Sequence, residues 1–272
     1  MAFPSVALKS HSPAFLALIT TTCSILPMHL LAQEIVETSH KFSVGTYLSQ
    51  GKYGANDNTD IIYFPASYEL SHFPWVLSVT VPYLSIKGPG DVFLETGNIG
   101  RGRGSVPEYI DEAGLGDIFV SASYQLPALT DSGLFMDLSL QAKLPTADET
   151  RDLGTGETDY GPQVDVYLAR GRNTWFANAG YRWRGKTALY DLRDSAYGSI
   201  GMMRQFGENT YLGLVYDYRE KASTSSYDSH ELMPFVSWNI SKRWNLMVYT
   251  ITGFTDSSAD QTLGAQVSFT IP

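Results

Sequence analysis

The sequence predicts an all-β protein: a single transmembrane antiparallel up-and-down β-barrel of about twelve strands. Three observations carry that expectation. Apolar and polar residues alternate with a period of two, in stretches of about ten residues separated by turn chemistry. The connections between stretches alternate between short and long, as tight periplasmic turns and longer extracellular loops do in outer-membrane barrels. Aromatic rings collect at the ends of the apolar faces, where amphipathic side chains meet lipid headgroups.

Composition agrees and removes other classes. The chain has 272 residues, 43% hydrophobic and 17% charged, which argues against disorder. Its net charge of −9 argues against a nucleic-acid partner, which would call for a basic footprint. A mean hydropathy of −0.12 is too low for a helical membrane bundle. It suits a barrel, in which only alternate residues face lipid.

The stretches follow in order. Phe42, Val44, Thr46 and Leu48 alternate with Ser43, Gly45, Tyr47 and Ser49. Ile62, Phe64, Ala66, Tyr68 and Leu70 form the second apolar face, and Trp75, Leu77, Val79, Val81 and Tyr83 the third. Ile118, Val120, Ala122, Tyr124 and Leu126 follow. The clearest stretch sets Leu134, Met136, Leu138, Leu140, Ala142 and Leu144 against Asp137, Ser139, Gln141 and Lys143. Pro162, Val164, Val166 and Leu168 oppose Gln163, Asp165 and Tyr167. Trp175, Ala177, Ala179, Tyr181 and Trp183 oppose Asn178, Arg182 and Arg184. Residues 196–206 are rich in Gly and Met, and their alternation does not fix which side faces in. Leu212, Leu214, Tyr216 and Tyr218 oppose Asp217 and Arg219. Leu232, Pro234, Val236, Trp238 and Ile240 come next, then Trp244, Leu246, Val248 and Thr250. Leu263, Ala265, Val267, Phe269 and Ile271 end the series.

A secreted two-sheet sandwich would also alternate. The length of the strands, the aromatic girdles and a polar face too charged for a sandwich core favour the barrel. Closure also leaves no unpaired strand edge in hydrocarbon. The domain reading is therefore a signal peptide over residues 1–32, an N-terminal segment over 33–41 and the barrel over 42–272. The signal reading rests on Lys9 followed by an apolar stretch from Ala14 to Leu26, with Ala32 as the cleavage position. A membrane anchor is the alternative, but Pro27 and His29 shorten the apolar run.

Residue chemistry points away from an enzyme. Beyond residue 32 the chain has no cysteine, and His40, His72 and His230 lack metal-ligand spacing. The adjacent Ser229 and His230 would point to opposite faces of a strand, so a hydrolase dyad is not expected. The glycine-rich runs at 100–104 and 154–156 lack the lysine and the strand-to-helix setting of a phosphate loop. No cofactor is implied.

Asp117, Asp137, Lys143, Asp165, Arg182, Arg184, Asp217 and Arg219 should face the lumen. They read either as a charged constriction that selects solutes or as an internal ion-pair network that stiffens a narrow barrel. The long connection 87–114 carries Phe93, Leu94, Tyr109 and Ile110 among its acids, and reads either as an inward gate or as an exposed loop.

Lys143-Leu144-Pro145-Thr146, followed by Leu153-Gly154-Thr155-Gly156-Glu157-Thr158-Asp159-Tyr160-Gly161, resembles a hairpin of a known family. It is similar to the K-L-P-T-G-D…L-G-T-G-x-x-D-Y-G pattern of the outer-membrane barrels named for the MetA pathway of phenol degradation, which are labelled as transporters. Ala147-Asp148 stands where Gly-Asp is usual, and Gly114-Leu115-Gly116-Asp117 resembles that family's G-L-G-D. The chain ends in Phe269-Thr270-Ile271-Pro272, where such barrels commonly end in an aromatic residue. The resemblance implies a channel in the outer membrane of a Gram-negative cell. Its partners would be outer-membrane lipid, a small-molecule solute, aromatic or hydrophobic in some relatives, and the barrel-assembly machinery during biogenesis.

Overall fold

A computed structural model describes residues 38–53, 56–89, 92–95, 98–101, 109–127, 133–187, 191–224 and 226–272. The expected signal peptide lies outside the described residues. The strands in chain order are β1 (Ser39–Gly51), β2 (Thr59–His72), β3 (Trp75–Pro89), β4 (Val92–Glu95), β5 (Asn98–Arg101), β6 (Tyr109–Leu115), β7 (Ile118–Gln125) and β8 (Leu134–Leu144). Then come β9 (Asp159–Arg170), β10 (Asn173–Arg182), β11 (Ser195–Phe206), β12 (Thr210–Arg219), β13 (Ser229–Asn239), β14 (Trp244–Gly253) and β15 (Gln261–Ile271). The only helical piece among the described residues is a 3-10 turn at Glu149–Arg151.

Every pairing in the barrel is antiparallel, and β1 pairs with both β2 and β15, so the sheet closes on itself. Thirteen strands take part, but β6 and β7 share one position. β7 pairs with the lower part of β3 (Trp75↔Tyr124 to Thr80↔Phe119) and β6 with its upper part (Tyr83↔Leu115 to Pro89↔Tyr109). The barrel therefore has twelve staves, one of them broken at Gly116-Asp117. The alternation of residues 118–126 showed only the lower half of that stave, because β6 is short and carries Asp111 and Glu112 among its apolar residues. β4 and β5 form a separate hairpin in the connection after β3.

The outward face is the predicted one. Phe42, Val44, Phe64, Leu77, Leu138, Leu140, Val164, Leu212, Leu214 and Leu263 are exposed around the wall, where acyl chains would cover them. Two girdles bound this band. Near the short turns lie Trp75 against Tyr124 (5.0 Å between ring centroids), Trp244 against Phe269 (4.7 Å), Trp175 and Trp238. Near the long loops lie Tyr83, Tyr160 against Trp183 (5.4 Å), Tyr181 and Tyr216. β1 begins at Ser39, slightly before the expected boundary.

The inward face is not purely polar. Serine, threonine and amide side chains bond across strands, as in Ser43 with Ser268 (2.9 Å), Ser67 with Thr80 (2.8 Å), Ser78 with Ser121 (2.7 Å) and Ser123 with Ser139 (2.8 Å). Among them lie buried tyrosines, phenylalanines and methionines, including Tyr47, Tyr63, Phe235, Met233, Met247 and Tyr249. None of these was assigned to the lipid side. Some rings lie over inward glycines on the next strand. A Cβ on Gly264 would stand 2.1 Å from the Tyr249 ring, and one on Gly201 2.3 Å from Phe176. Those pairs also orient β11, turning Tyr197, Ser199, Gly201 and Met203 inward.

Candidate functional site

The inward charges fall into separate groups. At the short-turn end Lys41 pairs with Glu69 at 3.0 Å. On β12 and β13 the Arg219 guanidinium reaches Asp217 at 3.0 Å and Glu231 at 2.7 Å, and donates to Ser229 Oγ at 2.9 Å. Arg182 lies 5.1 Å from the centre of the Tyr197 ring. Arg184 donates to Ser195 Oγ at 2.8 Å and to the Arg193 carbonyl, bracing the start of β11. Asp137 and Asp165 face each other across β8 and β9. All eight predicted lumen charges are thus on the inner side, but they do not form one continuous ring.

The densest group centres on Lys143, at the loop end of β8. Its Nζ lies 2.9 Å from Asp159 and 3.5 Å from Asp117, and donates to Thr155 Oγ1 at 2.6 Å. All four side chains are buried. The break between β6 and β7 sets Asp117 here. A Cβ on Gly116 would come within 2.5 Å of Leu84, so the bulge needs glycine to pass this wall. Asp117 Oδ1 then accepts from the backbone N–H groups of Thr146 and Ala147, both at 3.0 Å. Thr146 Oγ1 accepts from Ile118 N at 2.9 Å.

These contacts draw the connection 145–158 in against the inner wall at the loop end. Leu153 enters the apolar cluster that holds Leu84, Ile86 and Ile110. Gly154 lies so close to Asp117 that a Cβ would stand 2.8 Å from its Oδ2 and 2.7 Å from the Ala147 Cβ. Gly156 takes a φ of +70°, a conformation costly for other residues. Arg151 ties the segment to β6 through Glu112 (2.7 Å) and the Ala113 carbonyl (2.9 Å). Asp148 caps the 3-10 turn, accepting from both the hydroxyl and the N–H of Thr150, and the hydroxyl bond above all holds its carboxyl below the usual range. At Gly161 a Cβ would stand 1.8 Å from the Tyr181 carbonyl oxygen. The two sequence patterns, 114–117 and 143–161, are therefore one structure, a latch built on a buried lysine.

Sequence reasoning placed Lys143 and Asp117 on the inner face but did not join them. Asp159 and Glu231, which complete the two ion-pair groups, were not among the predicted lumen residues, although both are in inward phase. Of the expected gate, Ile110 is buried in the same apolar cluster as Leu153, while Tyr109 is exposed. The side chains of Phe93 and Leu94 lie outside the described residues. Ser229 and His230 do diverge. Ser229 Oγ bonds inside with Ser258 at 2.8 Å, whereas His230 Nδ1 meets Tyr216 Oη at 2.6 Å on the outer side. Among the described residues no group of three or more His, Cys, Asp or Glu comes together to hold a metal.

The fold is shared with solved outer-membrane channels. An outer membrane channel from Pseudomonas putida F1 superposes with a TM-score of 0.62 at 11% identity, covering 91% of this chain and 100% of that one. The NanC porin gives 0.55 at 10% identity, covering 84% and 98%. The KdgM porin gives 0.51 at 11% identity, again covering 84% and 98%. No match is found among curated proteins. The family described as "Putative MetA-pathway of phenol degradation" matches residues 40–271. The latch residues lie inside that span, and the chain belongs to this family.

Proposed function

We propose that this chain is an outer-membrane channel for the passive passage of small molecules, closed at its loop end by the segment 145–158. The observation that carries the reading is the latch. A barrel that served only as a wall would not need a buried Lys143 to hold a connecting segment over its mouth. Solutes would cross by diffusion along a wall that is part hydroxyl and part aromatic. The buried face of Tyr47, Tyr63, Phe235 and Tyr249 suits aromatic or hydrophobic compounds with a few polar groups. No residue of this reading acts as a nucleophile or general base. The setting is the bacterial outer membrane, with its lipid around the girdles, reached by a cleaved signal peptide and the barrel-assembly machinery.

A second reading has its own observation. Most described inward side chains are buried, as in a barrel plugged by its own residues. Planar bilayers separate the two. Discrete conductance steps from the purified protein support the channel. Insertion without steps, together with no solute uptake into liposomes, leaves the structural barrel.

A further inference from the structure

We infer that the inner wall near the short turns holds a binding site for a small protonated amine, made by Asp137, Asp165 and Gln125. The register sets Gln125 opposite Asp137 and Asp137 opposite Asp165, on three adjacent strands and all facing inward. Their residue exposures are 8%, 8% and 2%. Asp165 is braced by the Gln163 amide, which donates to its two oxygens at 2.8 and 2.9 Å. Asp137 has no hydrogen-bond or ion-pair partner among the described residues, and neither does the Gln125 carboxamide. The other inward carboxylates do have cations: Glu69 has Lys41, Asp117 and Asp159 have Lys143, and Asp217 and Glu231 have Arg219. The Asp137 carboxylate and the Gln125 amide oxygen are thus left without a donor, and Asp165 without a cation, on a largely buried part of the wall.

The surroundings narrow the class of ligand. The next inward position toward the short turns carries a ring on β8 (Phe135) and on β9 (Tyr167), with Phe176 beside Tyr167 on β10. Carboxylates above and aromatic faces below suit an ammonium group with an organic substituent. Its N–H bonds meet Asp137, Asp165 and Gln125 Oε1, and its carbons and charge meet the rings. A metal ion would lack ligands here, with only two carboxylates and no ring nitrogen or sulfur in the group.

The site deepens the channel reading by naming a class of solute, but binding is measured without transport. Phenethylammonium chloride is titrated into the full chain in detergent micelles, followed by calorimetry, with benzyl alcohol and potassium chloride as parallel titrants. The expected result is saturable binding of the amine alone. It weakens about tenfold or more in Asp137→Asn/Asp165→Asn and stays unchanged in Lys242→Gln, an exposed residue of the turn between β13 and β14. Equal binding of benzyl alcohol, preference for potassium, no binding by the wild type, or equal affinity in the double variant would each overturn the proposal. Should the double variant fail to fold, as judged by heat-dependent gel mobility, Gln125→Leu and Asp137→Asn singly provide the same comparison. Absence of conductance in bilayers would remove transport and leave this binding result standing.

Discussion

Two pairs of inward carboxylates lie on the same neighbouring staves, at different heights, and are handled in opposite ways. Asp117 and Asp159, at the loop end, close around Lys143, Thr155 and two backbone N–H groups. Asp137 and Asp165, toward the short turns, have no cation, and only Asp165 has an amide brace. Burial is alike in both places, so the difference lies in what each group is for. A buried ion pair with its hydrogen bonds complete fixes one arrangement of chain. A buried pair left incomplete is a place for something to bind. The first fixes the segment 145–158 at the loop end, and the second is the proposed binding place.

The largest effect should come from removing the shared cation. Lys143→Met leaves two carboxylates buried and unpaired, which costs about 3–5 kcal/mol where a partner is removed from a buried pair. The strain falls first on the segment 145–158, so trypsin should cut after Arg151 much faster than in the wild type. Unchanged digestion would show that the apolar seat of Leu153 holds the segment unaided. Gly154→Ala comes next. Its new Cβ meets Ala147 and Asp117 at under 3 Å, a misfit of about 1–3 kcal/mol. The same cleavage should accelerate, by less.

Asp137→Asn should go the other way. Removing an uncompensated buried charge raises thermal stability slightly or leaves it level, read from the temperature at which the barrel loses its folded gel mobility. A large destabilisation would mean that the lower pair is structural after all and would erase the contrast. The smallest effect concerns the connection after β10. Asp194 accepts from Lys186 at 2.9 Å and from Arg184 N at 3.0 Å, and these bonds lower its carboxyl pKa. A depressed carboxylate contributes stability at neutral pH that is lost as pH falls through its folded value, below about 4. Amide exchange at Arg184 should therefore rise below that pH, and Asp194→Asn should remove the pH dependence.

Much of this wall could be read from the sequence, for a simple reason. A strand with lipid on one side repeats every two residues, so Leu134 to Leu144 declared both faces at once. The eight inward charges followed from the same phase. Hydropathy failed where both faces are apolar or small. Tyr47 and Tyr167 were carried inward by the phase of their neighbours, but β11, apolar or small on both faces, needed the glycine–ring pairs to orient it. The latch was visible only as a motif. Its parts, Asp117 on one stave and Lys143 to Asp159 on the next two, meet through pairing across the barrel, which spacing along the chain does not encode. The break at Gly116-Asp117 was hidden too, because a bulge shifts the phase at the point where the alternation would have been counted.

The proposed channel is a narrow pathway held shut by one lysine, and unitary conductance in planar bilayers measures that directly. The wild type should give small, infrequent steps, and Lys143→Met should open more often with a larger unitary conductance under the same salt. Steps of the same size and frequency in both proteins, or none in either, would contradict it.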